Sequence, residues 1–226
     1  MPVTIPDSVS KAREALHLAI RPAPAILNAM IQALLLTLLL AAPADSLLWR
    51  NLRENYLGLR SLSGSFEQTV RSEAEGTTQR FSGSFWSVLP DRYRLEVTSP
   101  ERQVIVAGDS ALWFYFPAEQ RAVREAQPRS MPLLAFLEPV LDPATTARIE
   151  RLPDGRTLVH VETEDEMAAL QDLKLELSAD RRHIEAFEFS DPWSQNYRFI
   201  LTAQQWNPDL PAELFEFTPP GGTSVE

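Results

Sequence analysis

Apolar and polar residues alternate along much of the chain, and this alternation restricts its fold more than any other feature. From Leu62 to Val70 every second residue faces the same way, as in a β-strand. Turn signals rich in proline, glycine and aspartate separate the runs that follow. These runs occupy residues 80–86, 92–98, 102–107, 111–116, 120–125, 156–163, 171–178, 182–190 and 196–205. The pattern predicts a mainly β (α+β) fold built on a single antiparallel sheet.

Two segments break the alternation and predict helices. Leu48, Leu52, Tyr56 and Leu59 recur at the spacing of an amphipathic helix, which would open the folded domain. Residues 130–147 are rich in large apolar side chains but are interrupted by three prolines. Because proline cannot continue a helix interior, this segment predicts short helices lying across the sheet.

A single sheet of this size is expected to curve, because strands twist and large sheets curl or close. Gly64 and Gly83 lie inside predicted strands, where glycine marks bends. The expected result is an incomplete barrel whose opening is crossed by the short helices. Such a fold either encloses an apolar space or has a filled core without a cavity, and the pattern alone does not choose between them.

The segment before the folded domain is typical of an export signal. The run Ala29–Ala42 is almost continuously apolar but falls short of the ~20 residues that a transmembrane helix needs. Basic residues precede the run, and an A-x-A-like site, Ala42-Pro43-Ala44, follows it. We therefore predict a cleaved signal peptide at 1–44, starting at Met1 or Met30, a mature domain at 45–226, and a location in the periplasm.

Composition excludes several classes of function. The chain has no cysteine, so it has no disulfide framework, thiolate metal site or attachment point for a lipid anchor. Its net charge of −10 opposes binding to nucleic acid and to anionic lipid headgroups. We expect a soluble monomer that binds no nucleic acid.

No catalytic motif stands out in the sequence. His160 and His183 lie in predicted strands without the spacing of metal ligands. The Gly108–Ala111 segment lacks the second glycine of a nucleophile elbow. Paired carboxylates of a glycosidase type have no sequence signature and stay open. We predict that the chain is not an enzyme and has no cofactor or metal.

An ordered set of motifs resembles the periplasmic outer-membrane lipoprotein carrier proteins, the LolA family. The motifs are Leu59–Gln68 (LRSLSGSFEQ), Gly83–Trp86 (GSFW), Pro90, Tyr93-Arg94, Gln103–Val106 (QVIV), Leu112–Tyr115 (LWFY) and Phe215–Val225 (FEFTPPGGTSV). The resemblance implies a curved, incomplete barrel closed by helices, whose apolar interior takes the acyl chains of lipoproteins. It also implies an inner-membrane lipoprotein-releasing transporter as donor and an outer-membrane receptor as acceptor.

Within this resemblance we predict a set of lipid-contacting residues. The expected lining is Leu62, Phe66, Tyr93, Leu95, Val97 and Val104, and the expected lid is Leu133, Leu134, Phe136 and Leu137. For each residue, an ordinary place in a core is the alternative interpretation.

One position departs from the family pattern. The best-studied type of carrier has an arginine that helps to hold the lid, and Leu89 stands in its place here. Arg94 matches another basic position and is the candidate to replace it in lid control. A periplasmic carrier or sensor of another lipid or glycolipid is therefore the alternative to a lipoprotein carrier.

Overall fold

The structure, a computed structural model, describes residues 44–108, 111–125, 132–162 and 170–226. Residues 1–43, which hold nearly all of the predicted signal peptide, lie outside this range. The first element is helix α1 (Ala44–Leu57). Its buried side is the predicted apolar stripe together with Trp49, since Leu52 and Tyr56 are each only 1% exposed. The sequence prediction of an opening helix is confirmed.

All the described strands belong to one sheet. They are β1 (Ser61–Ser72), β2 (Thr77–Val88), β3 (Arg92–Ser99), β4 (Gln103–Ala107), β5 (Leu112–Phe116), β6 (Arg121–Glu125), β7 (Thr146–Arg151), β8 (Thr157–Glu162), β9 (Gln171–Leu177), β10 (Ile184–Ser190), β11 (Gln195–Trp206) and β12 (Ser224–Val225). Their spatial order is β12-β6-β5-β4-β3-β2-β1-β11-β10-β9-β8-β7, so that the curved sheet stays open between β12 and β7. The predicted mainly β fold is confirmed.

Two strands, β7 and β12, were not predicted. Strand β12 adds a parallel pair to a sheet that was predicted to be antiparallel. Strand β7 begins at Thr146, within the last two residues of the 130–147 segment for which short helices were predicted, and continues through residues that had no predicted element. Strand β12 pairs in parallel with β6, through Ser224 beside Arg121 and Val225 beside Ala122. The other strand pairs are antiparallel, as expected from short hairpin connections.

Between β6 and β7, residues 132–145 are described, and the apolar residues among them pack on one face of the sheet. These residues contain a 3₁₀ turn (Pro132–Leu134) and the short helix α2 (Leu137–Leu141). We call residues 132–141 the lid segment. We call the sheet face that bears Leu62 and Phe66 the inner face, and the opposite side the outer face.

Both α1 and the lid segment pack on the inner face. The ring of Tyr56 in α1 lies 4.7 Å from that of Trp206 on β11, and the ring of Phe136 in the lid segment lies 4.7 Å from that of Phe187 on β10. The Tyr56 hydroxyl also accepts a 2.9 Å hydrogen bond from the Ile184 backbone N–H. These contacts join the helices to the half of the sheet formed by β7–β11.

The two glycines that were expected to bend strands coincide with irregular strand pairing. The β1–β11 register shifts between Ser63 and Ser65, around Gly64, and the β2–β3 register shifts between Ser82 and Gly83. A Cβ at Gly83 would overlap the carbonyl oxygen of Glu96 on the neighbouring strand. Glycine is therefore required at Gly83 for the close approach of two backbones.

We expect Gly83→Ala to destabilise the fold by about 1–3 kcal/mol, because the added methyl group forces β2 and β3 apart. Urea unfolding of the variant measures the loss. Gly221→Ala is the matched control, since a Cβ there meets nothing within 4 Å. Equal stability of the two variants would contradict the close-approach argument.

Candidate functional site

The strand register brings five of the six predicted lining residues onto the inner face. Across β1, β2 and β3 the pairing forms three rows that share this face. The rows are Leu62–Ser87–Tyr93, Gly64–Phe85–Leu95 and Phe66–Gly83–Val97. Gly64 and Gly83 leave room beside Phe85 and Phe66, whose rings would touch any Cβ added there.

The predicted lid residues are buried in the same apolar cluster as these inner-face residues. Leu133, Leu134, Phe136 and Leu137 are between 0% and 6% exposed, and Leu62, Phe66, Tyr93 and Val97 are between 0% and 5% exposed. Leu95 is partly buried against the same cluster. The predicted lining and the lid segment thus belong to one buried apolar cluster, in which Phe136 contacts the sheet at Phe187.

The placement of Val104 corrects the sequence analysis. Val104 pairs with Glu96 and Tyr115, so it lies on the outer face and cannot line the same space as Val97. It is 7% exposed. The residues around 212–220 run along this face, where the ring of Phe217 lies 5.4 Å from that of Tyr115. Val104 is therefore buried on the opposite side of the sheet from the lid segment.

The placement of Arg94 also corrects an expectation. Arg94 pairs with Trp86 and Val106 on the outer face. Its guanidinium makes an ion pair with Glu96 at 2.8 Å and donates a hydrogen bond to the Leu214 carbonyl at 3.4 Å. It holds the C-terminal segment and has the sheet between it and the lid segment, so Arg94 does not replace the family arginine.

Leu89 contributes only apolar packing and a backbone hydrogen bond. Its side chain is partly buried against the inner-face cluster, and its N–H donates to the Arg60 carbonyl at 2.9 Å. A leucine at this position has no group that can bind the backbone of the lid segment.

An arginine that sequence reasoning missed binds the end of the lid segment instead. Arg53 of α1 donates from Nε to the Val140 carbonyl at 3.0 Å and from Nη2 to the Thr145 carbonyl at 2.9 Å. The indole of Trp49, one turn earlier, donates to the same Thr145 carbonyl at 3.2 Å and lies 5.2 Å from the Arg53 guanidinium. Three donors of α1 thus hold the backbone at and just beyond the end of α2.

Two tyrosines of the inner-face cluster, Tyr56 of α1 and Tyr93 of β3, favour their neutral forms. Burial raises the pKa of Tyr93 to about 12. Burial also raises the pKa of the Tyr56 hydroxyl, although the hydrogen bond from Ile184 opposes this shift. Neutral, buried phenols suit a face that contacts hydrocarbon, because a charge there would lose its hydration.

The two histidines of the folded region have local partners. His160 Nε2 lies 2.7 Å from Glu150 on the adjacent strand, and the His183 ring lies 4.6 Å from that of Trp206. Within the part of the chain that the structure describes, no three histidine or carboxylate side chains are grouped to hold a metal ion.

Comparison with known proteins assigns the family. The sequence profile of the family described as "Outer membrane lipoprotein carrier protein LolA" matches residues 58–218. An outer-membrane lipoprotein carrier protein from Xanthomonas oryzae pv. oryzae is 29% identical, with a match that covers 85% of this chain and 94% of that protein. One from Dechloromonas aromatica is 27% identical, with a match that covers 88% of this chain and 95% of that protein. A solved LolA superfamily protein from Nitrosomonas europaea is 12% identical, with a TM-score of 0.40 over 78% of this chain and 99% of that one.

Proposed function

Because this chain belongs to the outer membrane lipoprotein carrier protein LolA family, we propose that it carries lipoproteins by holding their acyl chains on the inner face of its sheet. The observation that carries this proposal is the shared apolar cluster of the inner face and the lid segment. Movement of the lid segment would uncover a continuous hydrocarbon-like surface.

The energetics favour such a surface for acylated cargo. Removing a methylene group from water yields about 0.8 kcal/mol, so a chain of about 16 carbons carries roughly 12 kcal/mol as an upper bound. An acylated protein cannot cross an aqueous compartment without covering that area. Leu62, Phe66, Tyr93, Leu95 and Val97 supply the covering surface in our proposal, and Val104 is left out because it lies on the outer face.

In the absence of cargo, the lid residues take the place of the acyl chains. Leu133, Leu134, Phe136 and Leu137 are buried on the inner face, so the empty surface is not left exposed to water. Arg53 would oppose lid opening through its bonds to the Val140 and Thr145 carbonyls. Cargo binding would then be an exchange of one apolar contact for another, with a modest net free energy that allows release.

The route of transport is the remaining part of the proposal. We expect the signal segment at 1–44 to direct export to the periplasm, an inner-membrane transporter to supply the cargo and an outer-membrane receptor to take it. Within the described residues, no helix combines the length and apolar character needed to cross a membrane. The proposal includes no enzymatic step.

The departure at Leu89 favours one second candidate, a carrier or sensor of a different acylated lipid such as a glycolipid. The side chain of Leu89 has no hydrogen-bond donor for the lid segment or for a headgroup, and it packs against the apolar cluster. The same inner face would accept any hydrocarbon chain, so the two candidates differ in what is attached to that chain.

Native mass spectrometry of the chain expressed from Met1 and purified from a Gram-negative periplasm tests the proposal. We expect a one-to-one complex with a triacylated lipoprotein. The measured mass of the protein itself should be that of a chain whose first residue is near Asp45. Lipid extraction identifies the bound chain. A free glycolipid or phospholipid without protein would favour the second candidate, and purification without any acylated ligand would contradict both.

A further inference from the structure

The inner face contains a ladder of stacked aromatic rings that leads towards one end of the sheet. Phe187 on β10 and Phe199 on β11 stack with centroids 4.7 Å apart and planes 11° apart. Phe189 and Tyr197 form the next rung, at 4.9 Å and 12°. The register places Tyr197 beside Val70 of β1, on the face that bears Phe66.

Burial decreases along this ladder. Phe187 and Phe199 are 1% and 4% exposed, whereas Phe189 and Tyr197 are only partly buried. Beyond them, in the turn that joins β10 to β11, Trp193 is 79% exposed. The ladder thus becomes more exposed towards the β10–β11 turn, which carries the exposed Trp193.

The turn that carries Trp193 is held firmly by one carboxylate. Asp191 Oδ1 accepts hydrogen bonds from the Trp193 and Gln195 backbone N–H groups, each at 2.9 Å. Asp191 Oδ2 accepts one from the Tyr197 hydroxyl at 3.1 Å, which ties the turn to the outer rung of the ladder. An exposed tryptophan on a fixed turn resembles the preorganised aromatic anchors of binding surfaces.

Acidic groups outnumber the basic Arg71 at the same rim, and this excess disfavours an anionic bilayer as the occupant. Asn196 bonds to Glu73 of the adjacent β1–β2 turn, and that turn carries exposed Glu73 and Glu75. A neutral hydrocarbon chain is compatible with both the aromatic rings and the nearby carboxylates. The polar peptide part of a lipoprotein stays in water, so the end of the acyl chain nearest the peptide would lie at the rim.

We propose that the Phe187–Phe199 and Phe189–Tyr197 rungs, with Trp193 at their outer end, form the path by which an acyl chain reaches and leaves the inner face. This inference rests on the proposed carrier function and adds the position and direction of loading. Trp193 would hold the part of the chain nearest the peptide.

Tryptophan fluorescence of the mature protein tests the path. The probe is a synthetic diacylglyceryl-cysteine lipopeptide with bromine atoms near the carboxyl end of each acyl chain, because bromine quenches tryptophan emission at contact. We expect quenching in the wild-type protein and loss of most of it in Trp193→Phe. Trp86→Phe is the matched control, since Trp86 pairs with Arg94 on the outer face, and its change should leave the quenching intact.

The rate of uptake gives a second readout. We expect Trp193→Ala to slow lipopeptide uptake about tenfold, because an anchoring tryptophan contributes enough binding energy to change the occupancy of the rim by about that factor. Leu57→Ala, at a residue 64% exposed at the end of α1, should leave the rate unchanged. Equal slowing by both variants would contradict a specific path.

Binding is measured separately by native mass spectrometry, so that the two proposals fail in different ways. If the lipopeptide binds but Trp193→Phe keeps the full quenching, the path is wrong and the carrier proposal stands. If vesicles of phosphatidylcholine alone shift the Trp193 emission while bound lipopeptide does not quench it, the turn contacts a bilayer and the path is again wrong. If no lipopeptide binds, both proposals fall.

Discussion

Replacing Arg53 by alanine is expected to loosen the lid segment and to tighten the binding of cargo. The variant loses the hydrogen bonds to the Val140 and Thr145 carbonyls. A hydrogen bond to a charged group contributes about 1.5–3 kcal/mol, and 1.4 kcal/mol is a factor of ten in an equilibrium. Local opening of α2 should therefore become at least about tenfold more frequent.

Amide hydrogen exchange measures this opening directly. The Val140 and Asp142 N–H groups bond to the Phe136 and Glu138 carbonyls within α2, so their exchange reports on the lid segment. A lid segment that is held less firmly competes less with cargo for the inner face, so the apparent affinity for the lipopeptide should rise by a similar factor. Because bound cargo is then displaced less readily, its transfer to an acceptor should slow.

Two controls separate a local effect from general destabilisation. Arg50→Ala removes a neighbouring arginine of α1 whose only described ion pair is an exposed one with Glu54 at 3.9 Å, and it should change neither exchange nor affinity. Arg53→Lys keeps the charge but not the two-point geometry, so an intermediate result is expected. If the amide hydrogen exchange rates of Val140 and Phe187 rise by the same factor in Arg53→Ala, the arginine stabilises the whole fold and does not specifically hold the lid segment.

The sequence predicted most strands because alternation is a local property. It is harder to predict which face of the sheet each side chain lies on, and Val104 shows why. Val104, Ile105 and Val106 are consecutive apolar residues, since both faces of β4 are covered, and such a run has no alternation from which to choose a face. The C-terminal segment that covers the outer face is more than a hundred residues away, as the bond between Arg94 and Leu214 shows with its separation of 120 residues.

Long-range partners also explain the missed arginine. Arg53 meets carbonyl groups that are 87 and 92 residues further along the chain, and a backbone carbonyl has no sequence signature. The family pattern directed attention to Leu89 and then to Arg94, whose charge suited the role. Leu89 packs against the inner-face cluster but has an apolar side chain, whereas Arg94 has donors but lies on the outer face, so neither side chain offers a donor to the lid segment.

Replacing Phe136 by alanine is expected to destabilise the empty protein by about 3–5 kcal/mol, the usual cost of removing a buried phenylalanine ring. Phe136 is 0% exposed, and its ring contacts those of Tyr56 and Phe187 at 6.1 and 4.7 Å. The variant leaves an apolar cavity between the lid segment and the inner face. An acyl chain that binds there fills the cavity, so ligand should restore most of the lost stability.

Thermal unfolding with and without a synthetic diacylated lipopeptide distinguishes this result from simple damage to the core. The matched control is Phe215→Ala, because Phe215 is 4% exposed but belongs to the segment on the outer face, near Arg92 and Gly108. Both variants should lose stability, yet only Phe136→Ala should recover it by more than the wild-type protein gains from the same ligand. Equal recovery in the two variants would place the acyl chains elsewhere, because a ligand specific to the inner face has no means of filling a cavity on the other side of the sheet.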